Sequence, residues 1–148
     1  AGNGRFKPLN VNGARVRGHE VAFTTTWLGH VGLDFNYTYQ DAENMDPQYR
    51  GNKLPQRPED ELYTRLMIFG SPGKVYYEFN FIADNFLDPA NYDRVASRDI
   101  HTVGATYTPL PWLAFSFEAR NLSDNRISDV GEFPLPGRSF FGTVKLNL

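Results

Sequence analysis

The sequence contains no cysteine, so neither a disulfide framework nor a thiolate metal site is open to it. It also lacks a strong excess of one charge. Its 15 basic and 17 acidic residues leave a formal −2, which argues against a nucleic-acid footprint of the strongly basic kind. No apolar run approaches the ~18 residues of a membrane-spanning helix. No nucleophile–base pair or glycine-rich phosphate loop is visible, so the sequence reads as a non-enzyme without a cofactor. His19, His30 and His101 are not spaced as a metal cluster, and Asp41, Glu43 and Asp46 lack the glycine-punctuated pattern of a calcium loop. The sequence begins at Ala1 with neither Met nor a signal-peptide pattern, as a mature or cut exported protein would.

What is abundant is aromatic, glycine and proline: 15% aromatic residues, 13 Gly and 10 Pro, a composition of strands and many turns. Val31 to Gln40 alternates without a fault. Val31, Leu33, Phe35, Tyr37 and Tyr39 share one face, and Gly32, Asp34, Asn36, Thr38 and Gln40 the other. Period-two alternation is a β-strand with one apolar and one wet face. Its length suits a tilted bilayer-spanning strand of ~9–11 residues.

The design recurs. Seven strands are predicted, at Ala14–Trp27, Val31–Asp41, Leu62–Phe69, Lys74–Asn85, Ile100–Thr108, Trp112–Asn121 and Ser139–Leu148. The fifth is the weakest, and Pro109-Leu110-Pro111 breaks it. Short turns near 28–30, 70–73 and 108–111 alternate with long polar loops near 42–61, 86–99 and 122–138. Transmembrane barrels sort their loops in this way, short inside and long outside the cell. On that reading the first strand descends, the second rises, and the seventh ends on the periplasmic side. The fold class is all-β: an antiparallel transmembrane barrel segment of seven meandering strands.

A soluble lipocalin-like barrel that binds an apolar ligand shares this alternation inside out. Two features favour the membrane. The faces with Asp34, Asn36, Gln40, Glu78, Asn80, Glu118 and Arg120 are too charged for a dry core. Trp27, Tyr107 and Trp112 fall beside the short turns, where an interfacial aromatic girdle belongs.

Five motifs then appear in order. Asn12-Gly13 leads into a strand with Gly18-His19-Glu20 before its alternating apolar residues. Phe35-Asn36-Tyr37-Thr38-Tyr39 is followed by Asp41-Ala42, and Leu54-Pro55 and Pro58 precede the third strand. Asn121-Leu122-Ser123-Asp124 begins on the last residue of the sixth, penultimate strand, and Phe133-Pro134-Leu135-Pro136-Gly137-Arg138 precedes the last. Together they resemble the C-terminal barrel portion of TonB-dependent outer-membrane receptors. The Asn121-Leu122-Ser123 match to a glycosylation sequon is a chance one in that setting. Such receptors carry a barrel of about 22 strands around a plug, of which seven strands are roughly a third. The N-terminal plug and earlier strands are absent from 1–148. The resemblance departs at the end: family members usually finish on an aromatic residue, this sequence on Lys145-Leu146-Asn147-Leu148. An isolated seven-strand sheet would leave open edges in lipid, so further strands must complete it.

The resemblance implies an active-transport receptor, multi-pass in a Gram-negative outer membrane. It would bind a scarce nutrient such as a ferric siderophore, haem, cobalamin or a glycan and import it with TonB-supplied energy. Its partners would be outer-membrane lipid and lipopolysaccharide, its own plug domain, TonB through a segment upstream, and the small nutrient ligand, with no nucleic acid. A passive porin or an adhesion barrel is the alternative. Glu20, Asp34, Arg65, Glu78, Glu118 and Arg120 share the inferred lumen face, either as hydrated lining or as plug contacts. Tyr49, Arg50, Tyr92, Arg94 and Arg98 are loop residues suited to chelated or anionic cargo, metal ligands being absent from the set.

The alternation predicts that a lipid-soluble reagent labels a cysteine placed at Phe35 and spares one at Asn36. Labelling of the second in preference to the first would reverse the faces. Phe35→Arg should cost about 2–4 kcal/mol of barrel stability near mid-membrane, and Asn36→Arg far less.

Overall fold

The computed structural model describes residues 13–130 and 133–147. Asn12 of the Asn-Gly pair and Leu148, the expected end of the last strand, lie outside the described residues. The chain is all-β. β1 (Ala14–Trp27), β2 (Val31–Asn44), β3 (Asp60–Gly70), β4 (Gly73–Ala83), β7 (Arg98–Leu110), β8 (Leu113–Arg120) and β11 (Ser139–Leu146) form one seven-stranded sheet. Every neighbour in it is antiparallel, and sheet order follows chain order. The meander of seven strands is therefore as the alternation predicts.

The boundaries differ in instructive ways. β2 runs on to Asn44 because its ladder with β1 continues to the Ala14–Asn44 pair. β7 is 13 residues long and passes through Pro109, which therefore does not break it. Proline cannot donate to the ladder, and the register with β8 shifts between Tyr107 and Leu110, so the proline sits where the pairing is irregular. The long connections also hold two small hairpins, β5 (Asn85–Phe86) with β6 (Arg94–Val95) and β9 (Ser128–Val130) with β10 (Phe133–Pro134). These strands are two or three residues long, too short for alternation to show.

Register turns the alternation into two faces. Phe23 pairs with Phe35 and their rings stack at 5.1 Å; Val75 pairs with Ala105, and Ala105 with Phe117. Phe23, Trp27, Leu66, Ile68, Val75, Phe115, Phe117, Phe140 and Val144 are all well exposed on that side. Burial is correspondingly thin: among the described residues the only buried hydrophobic side chains are Ala42, Val95 and Ala119. A soluble sandwich would cover such a face with a second layer.

The opposite face is polar and forms rows across the sheet. One row is Thr24, Asp34, Arg65, Glu78 and Thr102. The next row towards the short turns is Met67, Tyr76, Gly104, Glu118 and Phe141. Gly104 is buried in it because Tyr76 lies across its backbone; a Cβ there would come within 2.3 Å of the phenol ring. Gly104→Ala should therefore cost about 1–3 kcal/mol through overpacking. The same change in a Tyr76→Ala background should cost much less. Urea midpoints measure both, and equal costs in the two backgrounds would remove the tyrosine as the cause.

Candidate functional site

The polar face gathers its charge around Tyr76. Glu118 stands one strand beyond Gly104, so the phenol that crosses the glycine reaches the Glu118 carboxylate and donates a hydrogen bond to it. Arg120, two residues on and therefore on the same face, binds the same carboxylate and lies 4.8 Å over the Phe141 ring. Arg65 sits 4.3 Å over the Tyr76 ring and 3.4 Å from the Glu78 carboxylate. A hollow of about 420 Å³ opens between these groups and Lys74.

Of the six lumen-face residues expected from sequence, the fold brings Arg65, Glu78, Glu118 and Arg120 into this one cluster. Glu20 lies apart on β1, where Asn36 donates to it at 2.9 Å; Asp34 stands opposite Arg65 in the ladder, and its carboxylate accepts from Thr24 at 2.9 Å. Sequence reasoning missed Tyr76, Gly104 and Phe141. The available signal was Gly104 itself, a glycine inside an alternating strand, which marks a close approach.

At the other end of the strands the long loops lock to one another. Lys53 reaches both Asp41, at 2.7 Å, and Glu59. Burial opposes its charge, but the two carboxylates outweigh that and hold the Lys53 ammonium above its ordinary value. Asn91 bridges the first two loops: its carbonyl accepts the Lys53 N–H at 2.6 Å, and its amide donates to the Lys53 carbonyl at 3.0 Å. Asp88 accepts the N–H of Asp93 at 2.7 Å and of Ala90 at 2.9 Å, and these bonds hold its carboxyl below the usual range.

The third loop is built on the two motifs at its ends. Asn121 is buried; its amide donates at 2.8 Å to the carbonyls of both Asn125 and Pro136, and its own carbonyl accepts the Asn125 N–H at 2.9 Å. Asp124 accepts the Arg138 N–H at 2.8 Å and pairs with Arg126 at 3.2 Å. Gly137 belongs between them, since a Cβ there would come within 2.8 Å of the Asp124 carboxylate and the Arg126 guanidinium. The Asn-Leu-Ser-Asp and Pro-Leu-Pro-Gly-Arg segments are thus two halves of one clasp.

The loop residues expected to meet cargo differ in their surroundings. Tyr49 is half-buried and accepts a bond from Gln48, Arg50 is exposed, and Arg94 pairs with Asp84. Tyr92 is 92% exposed. Arg98 is a correction: it is the first residue of β7, on the polar face beside Asn80, because the β4–β7 ladder extends to the Ile82–Arg98 pair. Among the described residues no group of three or more His, Asp or Glu side chains is placed to hold a metal ion.

No protein-family model matches the sequence, and none of the curated proteins matches it either. Solved structures do. The siderophore receptor PiuA from Acinetobacter baumannii is similar with TM-score 0.83 at 20% identity, over 90% of this chain and 22% of its own. The ferric yersiniabactin uptake receptor FyuA from Yersinia pestis is similar with TM-score 0.73 at 18% identity, over 88% of this chain and 22% of its own. The copper transporter OprC has TM-score 0.72 at 19% identity, over 91% of this chain and 24% of its own. The chain thus spans under a quarter of the length of the receptors it matches.

The clasp generates a prediction with a pH sign. Bonds from the Arg138 N–H and then from Arg126 hold the Asp124 carboxyl below the ordinary carboxylate range. The stabilisation is therefore present above the unfolded value and is lost as pH falls through the folded one. Hydrogen exchange at the Arg138 amide, corrected for its intrinsic pH dependence, should lose protection on acidification, whereas Asp124→Asn should lose that pH step. Asn121→Ala should cost about 1–3 kcal/mol by deleting a buried side chain that bonds the backbone of Asn125 and Pro136. A wild-type profile as flat as the Asp124→Asn profile would remove the carboxylate from the clasp. At the level of the fold, the resemblance to TonB-dependent receptor barrels is borne out: the chain carries the antiparallel sheet of these barrel receptors.

Proposed function

We propose that this chain is a stretch of the barrel of a TonB-dependent receptor in a Gram-negative outer membrane, which binds a scarce nutrient outside the cell and imports it with TonB-supplied energy. The observation that carries the reading is a meander of seven strands with one apolar, uncovered face and one charged face, similar over about nine-tenths of its length to receptors. Lipid is the solvent that an uncovered face of Phe, Trp, Val and Leu calls for, and the open β1 and β11 edges require further strands in that solvent. The solved structures supporting the cargo class are named for siderophore and copper uptake. A ferric siderophore is accordingly the first cargo to test.

In this reading the charged face lines the lumen, and the cluster around Tyr76 meets the plug. Its groups are already paired with one another, so the sheet keeps its form when the plug moves. Their exposed edges, Arg120 above all, offer charge-assisted hydrogen bonds to a neighbour. The interlocked loops hold the outer rim open around the cargo.

The test is growth and uptake in the source cell. Deleting the gene should abolish siderophore-supported growth under iron limitation, and the full-length gene should restore it. An unchanged deletion strain across siderophores, haem, cobalamin and glycans would defeat the receptor reading. Arg120→Ala removes an exposed pair worth only ~0–1 kcal/mol, so the barrel should still fold. If Arg120 seats the plug, that variant should leak ions or large antibiotics. Normal permeability and uptake would reduce the cluster to hydrated lining.

A further inference from the structure

On the short-turn side of the Glu118 row the polar face changes its charge. The strand ends and turns there, residues 24–33, 66–77, 105–117 and 142–147, hold no Asp, Glu or Arg, and their lysines are Lys74 and Lys145. Lys74, Thr106, Ser116 and Thr143 form the first row past Glu118, in register across four strands. Lys145 follows Thr143 by two residues and so shares its face. The same four residues, with Arg65 and Arg120, line the hollow of about 420 Å³.

The carboxylates at the hollow are already engaged. Glu118 accepts from Tyr76 and pairs with Arg120, and Glu78 faces Arg65 at 3.4 Å. Lys74 is the cation left over: it is exposed and, among the described residues, has neither a hydrogen bond nor an ion pair. Three cations, Arg65, Lys74 and Arg120, thus meet two carboxylates, Glu78 and Glu118, and one positive charge is unanswered.

We propose that this hollow receives one carboxylate, the side chain of an Asp or Glu on the plug, held by Lys74 and the hydroxyls of its row. The proposal rests on the receptor reading above and deepens it by fixing the charge of the plug's contact. Docking a plug against the wall takes water from Lys74, and a lysine dried without an anion is costly. An apolar plug surface would leave that cost standing. A cationic one would be repelled by Lys74 and would find Glu78 and Glu118 already paired. A single carboxylate answers the single excess charge, and it accepts from an ammonium with three donors and from neighbouring hydroxyls. The occupant has room to come from the same polypeptide, since this chain matches 22% of the length of the receptor PiuA.

The test is zero-length cross-linking of the full-length receptor in outer-membrane vesicles. A water-soluble carbodiimide activates a carboxylate; an amine in contact with it then forms an amide, and the carbodiimide leaves as its urea, carrying the elements of water. Lys53, 2.7 Å from Asp41, is the internal control and should link to Asp41 or Glu59. Mass spectrometry of the digest should find Lys74 joined to one Asp or Glu encoded upstream of Ala1. Lys74→Arg keeps the charge but forms no such amide, so it should lose the link and keep normal permeability to large antibiotics. Lys74→Glu should raise that permeability severalfold, and Lys74→Gln replaces it if the first variant fails to reach the membrane. Lys74 unlinked beside a linked Lys53, or linked only to Glu78 or Glu118, overturns the proposal. Equal permeability in the arginine and glutamate variants overturns it independently of the cross-linking chemistry. Failure of the receptor reading shows elsewhere, in a deletion strain whose growth is unchanged on every nutrient tested.

Discussion

From Ala14 to Leu146 the backbone hydrogen bonds of seven antiparallel strands run from one edge of the sheet to the other, and every other feature hangs on that ladder. Side-chain burial cannot take its place, since Ala42, Val95 and Ala119 are the only buried hydrophobic residues among those described. The ladder explains why irregularity is confined. The shift near Pro109 occurs at the end of β7, next to a short turn, where a lost donor disturbs least. It also makes the outer strands β1 and β11 the most exposed, each having a neighbour on one side only.

A sheet held by its backbone leaves its faces free to serve different solvents. The apolar side presents Phe23, stacked on Phe35, and Phe117, stacked on Phe140, with no second layer over the well-exposed Phe23, Phe117 and Phe140 among the described residues. The polar side joins its charges into chains, from Glu78 through Arg65 and Tyr76 to Glu118, Arg120 and Phe141. These contacts are individually weak where exposed, so they shape the wall more than they hold it up. Gly104 is the exception. It is the point where a side chain lies directly on the ladder.

The long connections use a different currency, polar side chains bonded to backbone. Asn91 ties the first loop to the second through Lys53, and Asn121 with Asp124 ties both ends of the third. Such bonds fix loop shape without a hydrophobic core. The loops thereby keep a defined form while Tyr92 and Arg50 remain free to face outward.

The strands and their two faces were legible in the residues alone, because alternation is local: Val31 to Gln40 declares its faces within ten positions. The split between short turns and long loops was legible for the same reason, as were the segments around Asn121 and Arg138. Strand ends were less so. Pro109 is a breaker by its own chemistry, and only the ladder with β8 decides that β7 continues past it. The small hairpins β5–β6 and β9–β10 escaped because two or three residues show no period. Arg98 read as loop until its pairing with Ile82 placed it on β7. The cluster was beyond any local reading: Tyr76 and Glu118 are 42 residues apart, and that Gly104 lies between them follows from register across three strands. Sequence by itself determined which side chains share a face, since that depends on parity along one strand. Tertiary structure decided which of them touch, since that depends on how each strand slides against the next.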